Sequence, residues 1–265
     1  MMKQKIWKLV RPVVRPVGGT IIVALSYLLR IFPIQKNKVV VSIYDGKRYD
    51  DNQKFMMDEL HKLCPEADIV WVKDPKYHYE LPDWIRPVKW RSWQWLYEYA
   101  TAKVWNSNGG EPDYFVKRKG QLYVETWHGG LGIKKVAGDI IGEYAAGMTK
   151  TLFLKNASDM ADAFISNSDH LSVIYRRAFQ FHGPIWKCGY PKNDMLVKNN
   201  PEEGMKAHKD LGIPSDHKVL LYAPTWRLRF TQAVKTVWNL RKVWMRLEHP
   251  SMILRDIKRL TNIFA

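Results

Sequence analysis

The stretch Gly120 to Lys135, GQLYVETWHGGLGIKK, holds the side chains best placed for chemistry. Gln121 to Thr126 reads as a short strand, and Trp127, His128, Gly129 and Gly130 follow as a glycine-rich turn. Glycine at positions 129, 130 and 132 permits positive φ and a close approach of backbone to a ligand. A helix is expected to start after them, and its free N–H groups suit an anion such as phosphate. His128 then stands at the carboxyl end of a strand, where open α/β sheets place their sites. Histidine is the side chain most often used to give and take a proton in enzymes. The plain alternative, a packed or solvated turn histidine, stays open at this point.

The elements that position this turn follow from apolar patterning. Lys38 to Tyr44 (KVVVSIY) is an uninterrupted apolar run of the buried-strand type, ended by Asp45-Gly46. Asn52 to Leu63 reads as a helix and Ala67 to Lys73 as a second strand, so the pair forms a βαβ unit with a parallel sheet. Pro82 to Pro87 is a break, with a short strand starting near Arg86. Ser92 to Ala102 is a helix, Lys103 to Ser107 a strand, and Asn108-Gly109-Gly110 its turn. Beyond the glycines, a helix is expected over Ile140 to Lys155 and a strand over Ala163 to Asn167. Ser168 caps a helix starting at Asp169, and Gly183 to Gly189 is a strand leading into Tyr190 to Asp194. A helix over Pro201 to Leu211 precedes the strand Lys218 to Tyr222.

Composition narrows the class of partner. The 265 residues carry 42 basic against 26 acidic side chains, a formal charge of +16, which calls for nucleic acid, an acidic membrane face or a phosphorylated substrate. Cys64 and Cys188 give neither a disulfide framework nor a metal spacing, and fit reduced thiols in a cytosolic compartment. The chain has no CxxC, HExxH or GxxxxGK[ST] pattern. Trp90, Trp93, Trp95 and Trp105 with the charge admit a base-stacking surface, but aromatics at helical spacing are more often core.

Residues 1–44 hold eight basic residues and no acid, and Pro16 to Leu29 is an uncharged run of 14. A membrane span needs about 20 apolar residues. Residues 1–36 therefore read as an amphipathic or shallowly inserted segment whose Lys and Arg meet anionic lipid. An N-terminal helix packed on the domain is the alternative.

The succession YFVKRKGQLYVETWHGG with its following lysines, FISNSD, GYPKND and LYAPTWR resembles the CDP-glycerol glycerophosphotransferase family, the teichoic-acid primases and polymerases. DGKRYDDNQKF and the basic apolar start are similar to that family too, so the resemblance covers about residues 20 to 227. It implies an α/β protein of two Rossmann-like domains facing across a cleft, the GT-B arrangement. On that pattern residues 37–150 form the acceptor side and 151–265 the start of a CDP-glycerol side that is cut short. It implies transfer of glycerol phosphate from CDP-glycerol to a hydroxyl of a lipid-linked acceptor, with CMP leaving, at the cytoplasmic face of a bacterial membrane.

By the same resemblance His128 is the general base that takes the acceptor proton. Trp127, Gly129 and Gly130 frame the substrate, and Lys134 and Lys135 meet phosphate charge. Lys192 and Arg227 meet the donor pyrophosphate, Asn193 and Asp194 order their turn, and Thr225 belongs to the APTWR contact. No cofactor is implied; Mg²⁺ on the donor pyrophosphate is left open. Nucleic acid is not among the partners it implies.

The chain departs from the family in two places. Gly130 and Leu131 stand where members often have the last two residues of WHGTP. Members also carry an Arg-x-His-Pro strand end with a second histidine and then an Asp-Tyr-Ser-Ser region. Here only 38 residues follow Arg227, and Arg246 to Pro250 is a shifted version in which His249 is either that second histidine or a surface residue of a basic tail. The pattern reads as a C-terminally truncated member. The alternatives are a catalytically inactive membrane- and acceptor-binding fragment, or a transferase using another CDP-polyol such as CDP-ribitol.

Overall fold

The computed structural model describes residues 19–111, 115–130, 135–140, 158–198 and 200–214. Seven strands form one sheet: β1 (Gln35–Ser42), β2 (Asp68–Lys73), β3 (Ile85–Lys89), β4 (Ala102–Ser107), β5 (Leu122–Glu125), β6 (Ala163–Ser166) and β7 (Ile185–Lys187). Their order is β3-β2-β1-β4-β5-β6-β7, and every adjacent pair is parallel. This is a doubly wound, Rossmann-like sheet. It runs unbroken past residue 150, where the sequence suggested a domain boundary. Residues 163–187 supply its last two strands, and the first compact unit extends over Met1–Pro201.

β1 lies in the middle of the sheet with both faces covered, which is why its sequence reads as a continuous apolar run rather than an alternating one. Val40 packs with Trp95, Leu96 and Tyr99 of helix α3 (Trp93–Thr101), whereas Val39, Val41 and Ile43 pack with Met57 of helix α2 (Asp51–Leu63). The alternation places one helix on each face. Pro87 has no N–H to give a second neighbour, and β3 is accordingly an edge strand paired only with β2. Ser92 caps α3 through Trp95 N at 3.1 Å, and Ser168 caps helix α4 (Asp169–Ala178) through Leu171 N at 3.2 Å.

Trp95 and Trp105 are core residues, and Trp93 is exposed, so the tryptophans form no common stacking face. Between β1 and α3, buried Lys38 pairs with buried Glu98 at 2.7 Å, and Arg86 bridges Glu98 to Asp68. Lys38 also donates to Thr101 Oγ1 at 3.0 Å.

Residues 19–28 are helical (α1) and lead through a 3-10 turn, Leu29–Ile31, into β1. Ile22 and Leu25 pack on the core, while Ile21, Tyr27, Leu28, Ile31 and Phe32 are exposed. Arg118 fastens the end of this segment by donating to the carbonyls of Phe32, Arg30 and Ala100. Among the described residues no helix is long and apolar enough to cross a membrane.

Two short helices follow the sheet, α5 (Asp194–Lys198) and α6 (Pro201–Asp210). The second compact unit comprises Glu202–Ala265, of which α6 from Glu202 onward and the turn to residue 214 are described. Residues 1–18, residues 141–155 of the expected helix, and the strand Lys218 to Tyr222 lie outside the described residues, as do Lys134, Thr225, Arg227 and His249.

At the end of β1 the chain turns at Gly46, whose φ is +85°, and a Cβ there would stand 2.7 Å from Asp74 N and 2.9 Å from Val72 O. Both neighbours are backbone and cannot swing aside. Gly46→Ala is expected to destabilise the protein by about 3 kcal/mol in urea unfolding, from left-handed strain plus overlap. A loss near zero would show that the β1 turn can move away from β2.

Candidate active site at the switch point

The chain leaves β1 towards β2 and returns on its other side at β4, so the sheet reverses direction of growth between β1 and β4. Ligands of such sheets bind outside the carboxyl ends of the strands at this crevice. The carboxyl ends of β1, β4 and β5 here deliver Tyr44, Asn108 and His128. Tyr44 N donates to Asn108 Oδ1 at 3.1 Å, and the Tyr44 and His128 rings lie 5.1 Å apart.

His128 is half-buried, and its Nδ1 lies 2.6 Å from the backbone oxygen of Asn108. A carbonyl only accepts, so Nδ1 carries the proton and the neutral ring keeps its lone pair on Nε2. The ring also packs on Trp127, with centroids 4.1 Å apart. That close packing depends on left-handed backbone at Trp127 (φ 54°).

This corrects the expectation for the glycines. Gly129 and Gly130 do not have positive φ, and the left-handed residue of the turn is Trp127. What the glycines meet instead is crowding by neighbouring side chains. A Cβ on Gly129 would sit 2.9 Å from Trp127 Nε1, and one on Gly130 would sit 3.2 Å from both Asn167 Nδ2 and Tyr190 Cε2. Nor does an α-helix occupy the described part of the segment that follows, where Ala137–Ile140 is a 3-10 turn. Lys135 is exposed.

Lys192 comes to the same crevice from the far side of the sheet. It lies in the 3-10 turn Pro191–Asn193 after β7, and its Nζ is 2.8 Å from Asp51 Oδ1 at the start of α2. Asp51 is buried, with φ +60°, and its other oxygen accepts from Asn108 Nδ2 at 2.6 Å. A strained, buried carboxylate of this kind persists only where its surroundings over-determine it. Asn193 N closes the turn on Tyr190 O at 2.8 Å, and Asp194 opens α5 with an exposed side chain.

Three further side chains of the crevice were not singled out from sequence. Asn167, from FISNSD, donates to Gly130 O at 2.9 Å. Gln53, from DDNQ, is fully buried and donates to Thr126 Oγ1 at 2.8 Å. Glu125, at the end of β5, accepts from Trp127 N at 2.7 Å, Gly110 N at 3.0 Å and Tyr123 Oη at 2.6 Å. The signal for Asn167 and Gln53 was their place inside motifs already noted, and a buried carboxamide such as that of Gln53 is costly unless it bonds.

Burial pushes the Glu125 carboxyl up to about 7, against the opposing pull of Tyr123 and the backbone donors. A raised carboxyl favours the folded state below the ordinary carboxyl range, and that contribution is lost as pH rises to about 7. Glu111 beside it is also pushed well up, first by burial and further by Glu125, with Tyr99 and Ser107 pulling the other way. Among the described residues no group of three or more His, Cys, Asp or Glu side chains is arranged to hold a metal ion.

Comparison with known proteins matches this architecture to one group. A family model described as CDP-Glycerol:Poly(glycerophosphate) glycerophosphotransferase matches residues 24–257. The teichoic acid poly(glycerol phosphate) polymerase of Bacillus spizizenii is 35% identical over 209 residues, 76% of this chain and 52% of that protein. The teichoic acid glycerol-phosphate transferase of Staphylococcus aureus is 32% identical over 199 residues, 72% of this chain and 51% of that protein. The chain thus spans about half the length of these relatives. The structure of the wall teichoic acid polymerase TagF superposes with a TM-score of 0.69 at 28% identity, covering 82% of this chain and 56% of that one. A histidine-to-asparagine variant of TagF soaked with CDPG gives 0.70 at 27%, with the same coverage.

Proposed function

The chain belongs to the CDP-glycerol:poly(glycerophosphate) glycerophosphotransferase family, and on that premise we propose that it moves glycerol phosphate from CDP-glycerol to a hydroxyl of a lipid-linked teichoic-acid or capsular acceptor, releasing CMP. The observation that carries this reading is the Nε2 of His128 at the switch point, without a hydrogen-bond partner among the described residues, with Lys192 in the same crevice. Nε2 takes the proton of the acceptor hydroxyl as that oxygen attacks the glycerol-bound phosphorus. The bond to the CMP oxygen breaks, and CMP leaves with the electron pair. Lys192, and in this reading Lys134, Lys135 and Arg227, offset the charge of the pyrophosphate, the usual protein contribution to phosphoryl transfer. Trp127, Gly129 and Gly130 shape the acceptor side, Thr225 contributes to the donor side, and residues 202–265 begin the CDP-glycerol side of a GT-B pair.

The exposed row Ile21, Tyr27, Leu28, Ile31 and Phe32 supports peripheral docking on a membrane, with the basic residues nearby meeting anionic headgroups at the cytoplasmic face. Leu28→Ser together with Ile31→Ser is expected to weaken partition onto anionic vesicles at least about tenfold, by removing apolar area from the lipid. Equal partition of variant and parent would place the membrane contact elsewhere.

The deciding experiment is CMP release from CDP-glycerol by this chain with a lipid-linked acceptor, against CDP-ribitol as competing donor. Acceptor-dependent release from CDP-glycerol supports the proposal. Release only from CDP-ribitol changes the polyol, and no release by a chain that still binds acceptor vesicles replaces the transferase with a binding module.

A further inference from the structure

His128 is held from two sides by backbone, and one buried side chain connects both. Its ring nitrogen donates to the carbonyl of Asn108, in the loop after β4, while its own main chain follows Trp127, in the loop after β5. Neither loop is held by sheet pairing at these positions, since the β4–β5 register ends at Ser107 and Glu125. Beyond that point Thr126 N reaches Ser107 O and Gly109 N reaches Ser107 Oγ, while one further donor of each loop, Trp127 N and Gly110 N, turns to the carboxylate of Glu125.

We propose that Glu125 is a positioning residue for the His128 base, one carboxylate that sets the distance between the two loops holding the imidazole. The proposal rests on the transferase reading for its catalytic consequence, and on geometry alone for its structural one. Oε1 takes Trp127 N and Oε2 takes Gly110 N, so the two loops are bound through opposite oxygens of one rigid group. Tyr123 Oη on Oε2 fixes the plane of that group from below. The carboxylate is 3% exposed and bonds to no described side chain other than Tyr123, so it acts on His128 only through backbone. Trp127 supplies the reason a clamp is needed: its left-handed φ of 54° must be enforced, and the bond from its N–H does so beside the histidine.

Above a pH of about 7, where Glu125 is a carboxylate and where the comparison is made, glutamine has the same shape but one acceptor oxygen. Whichever way its amide is turned, its NH₂ faces Trp127 N–H or Gly110 N–H, donor against donor, and one loop is released. The test labels His128 with ¹⁵N and compares the parent with Glu125→Gln. The parent is expected to show the neutral ring protonated on Nδ1, and the variant a mixed or Nε2-protonated ring, with an unchanged far-ultraviolet spectrum. In the CMP-release assay the variant is expected to lose about 10- to 100-fold in kcat with little change in KM for CDP-glycerol, the signature of a misplaced group rather than a lost binding contact.

An unchanged tautomer in a folded variant overturns the proposal, whatever the assay gives. If the variant does not fold, amide exchange in the parent decides: Gly110 and Trp127 N–H protected from exchange support the clamp, and exchange at the rate of free amides overturns it. A parent with the expected tautomer and no CMP release leaves the clamp standing and removes the transferase reading instead.

Discussion

Replacing His128 with alanine is expected to lower CMP release from CDP-glycerol about 10²- to 10⁴-fold, the range supplied by a positioned general base. In the proposed transfer the acceptor alcohol loses its proton as it attacks, and the half-buried His128 imidazole has a ring nitrogen, Nε2, with no hydrogen-bond partner among the described residues. Asp51 is occupied by Lys192 and Asn108, and Glu125 by three donors. His128→Ala also removes the bond to the Asn108 carbonyl and the ring contacts with Trp127 and Tyr44, so a loss of about 1–2 kcal/mol in stability should accompany it, too small to unfold the chain. On the proposed transferase reading KM for the donor should hold while kcat collapses, because there His128 acts on the acceptor. A variant with near-parental turnover would place the base elsewhere.

The largest loss of stability is expected from Glu98→Ala. Glu98 and Lys38 have side chains 3% and 2% exposed, and removing the acid strands the ammonium in the core. Breaking a buried pair in this way costs about 3–5 kcal/mol, whereas replacing both partners with apolar residues is often neutral. Arg86, 40% exposed, retains Asp68, so Lys38→Met with Glu98→Leu should recover most of the loss. Midpoints of urea unfolding for the single and double variants measure this directly, and equal loss in both would assign the cost to packing.

The same pair gives a pH dependence. Burial works to raise the Glu98 carboxyl, but its bonds to Arg86 and Lys38 outweigh burial and hold it below the ordinary carboxylate range. Its contribution is therefore present above that range and lost as pH falls through the lowered value.

Sequence reading located the elements well where the physics is local. The apolar run at Val39 to Ile43, the helix start at Ser92, the serine cap at Ser168 and the turn at Gly46 each lie within a residue or two of their expected places. Family membership was legible because motifs from separate strand ends occur in one order. Illegible were the partners: Asp51 with Lys192 spans 141 positions, and no periodicity connects them. The role of Gly129 and Gly130 was misread for a related reason. Positive φ is a local property that sequence suggests, whereas the crowding by Trp127, Asn167 and Tyr190 exists only after the strands assemble. The division at residue 150 rested on likeness, and the pairing of β5 with β6 carries the sheet past it.

The placement of β1 at the centre of the sheet has a consequence for how the chain is made. β1 and β2 are complete early in synthesis, but β4, which covers the other side of β1, follows only at Ala102–Ser107. At about 5–20 residues per second, ribosomal elongation leaves that edge unpaired for seconds. A flat apolar edge exposed for so long is a template for another nascent chain. Slowed elongation between Lys73 and Ala102 should therefore reduce soluble yield, and a holdase chaperone present during synthesis should restore it.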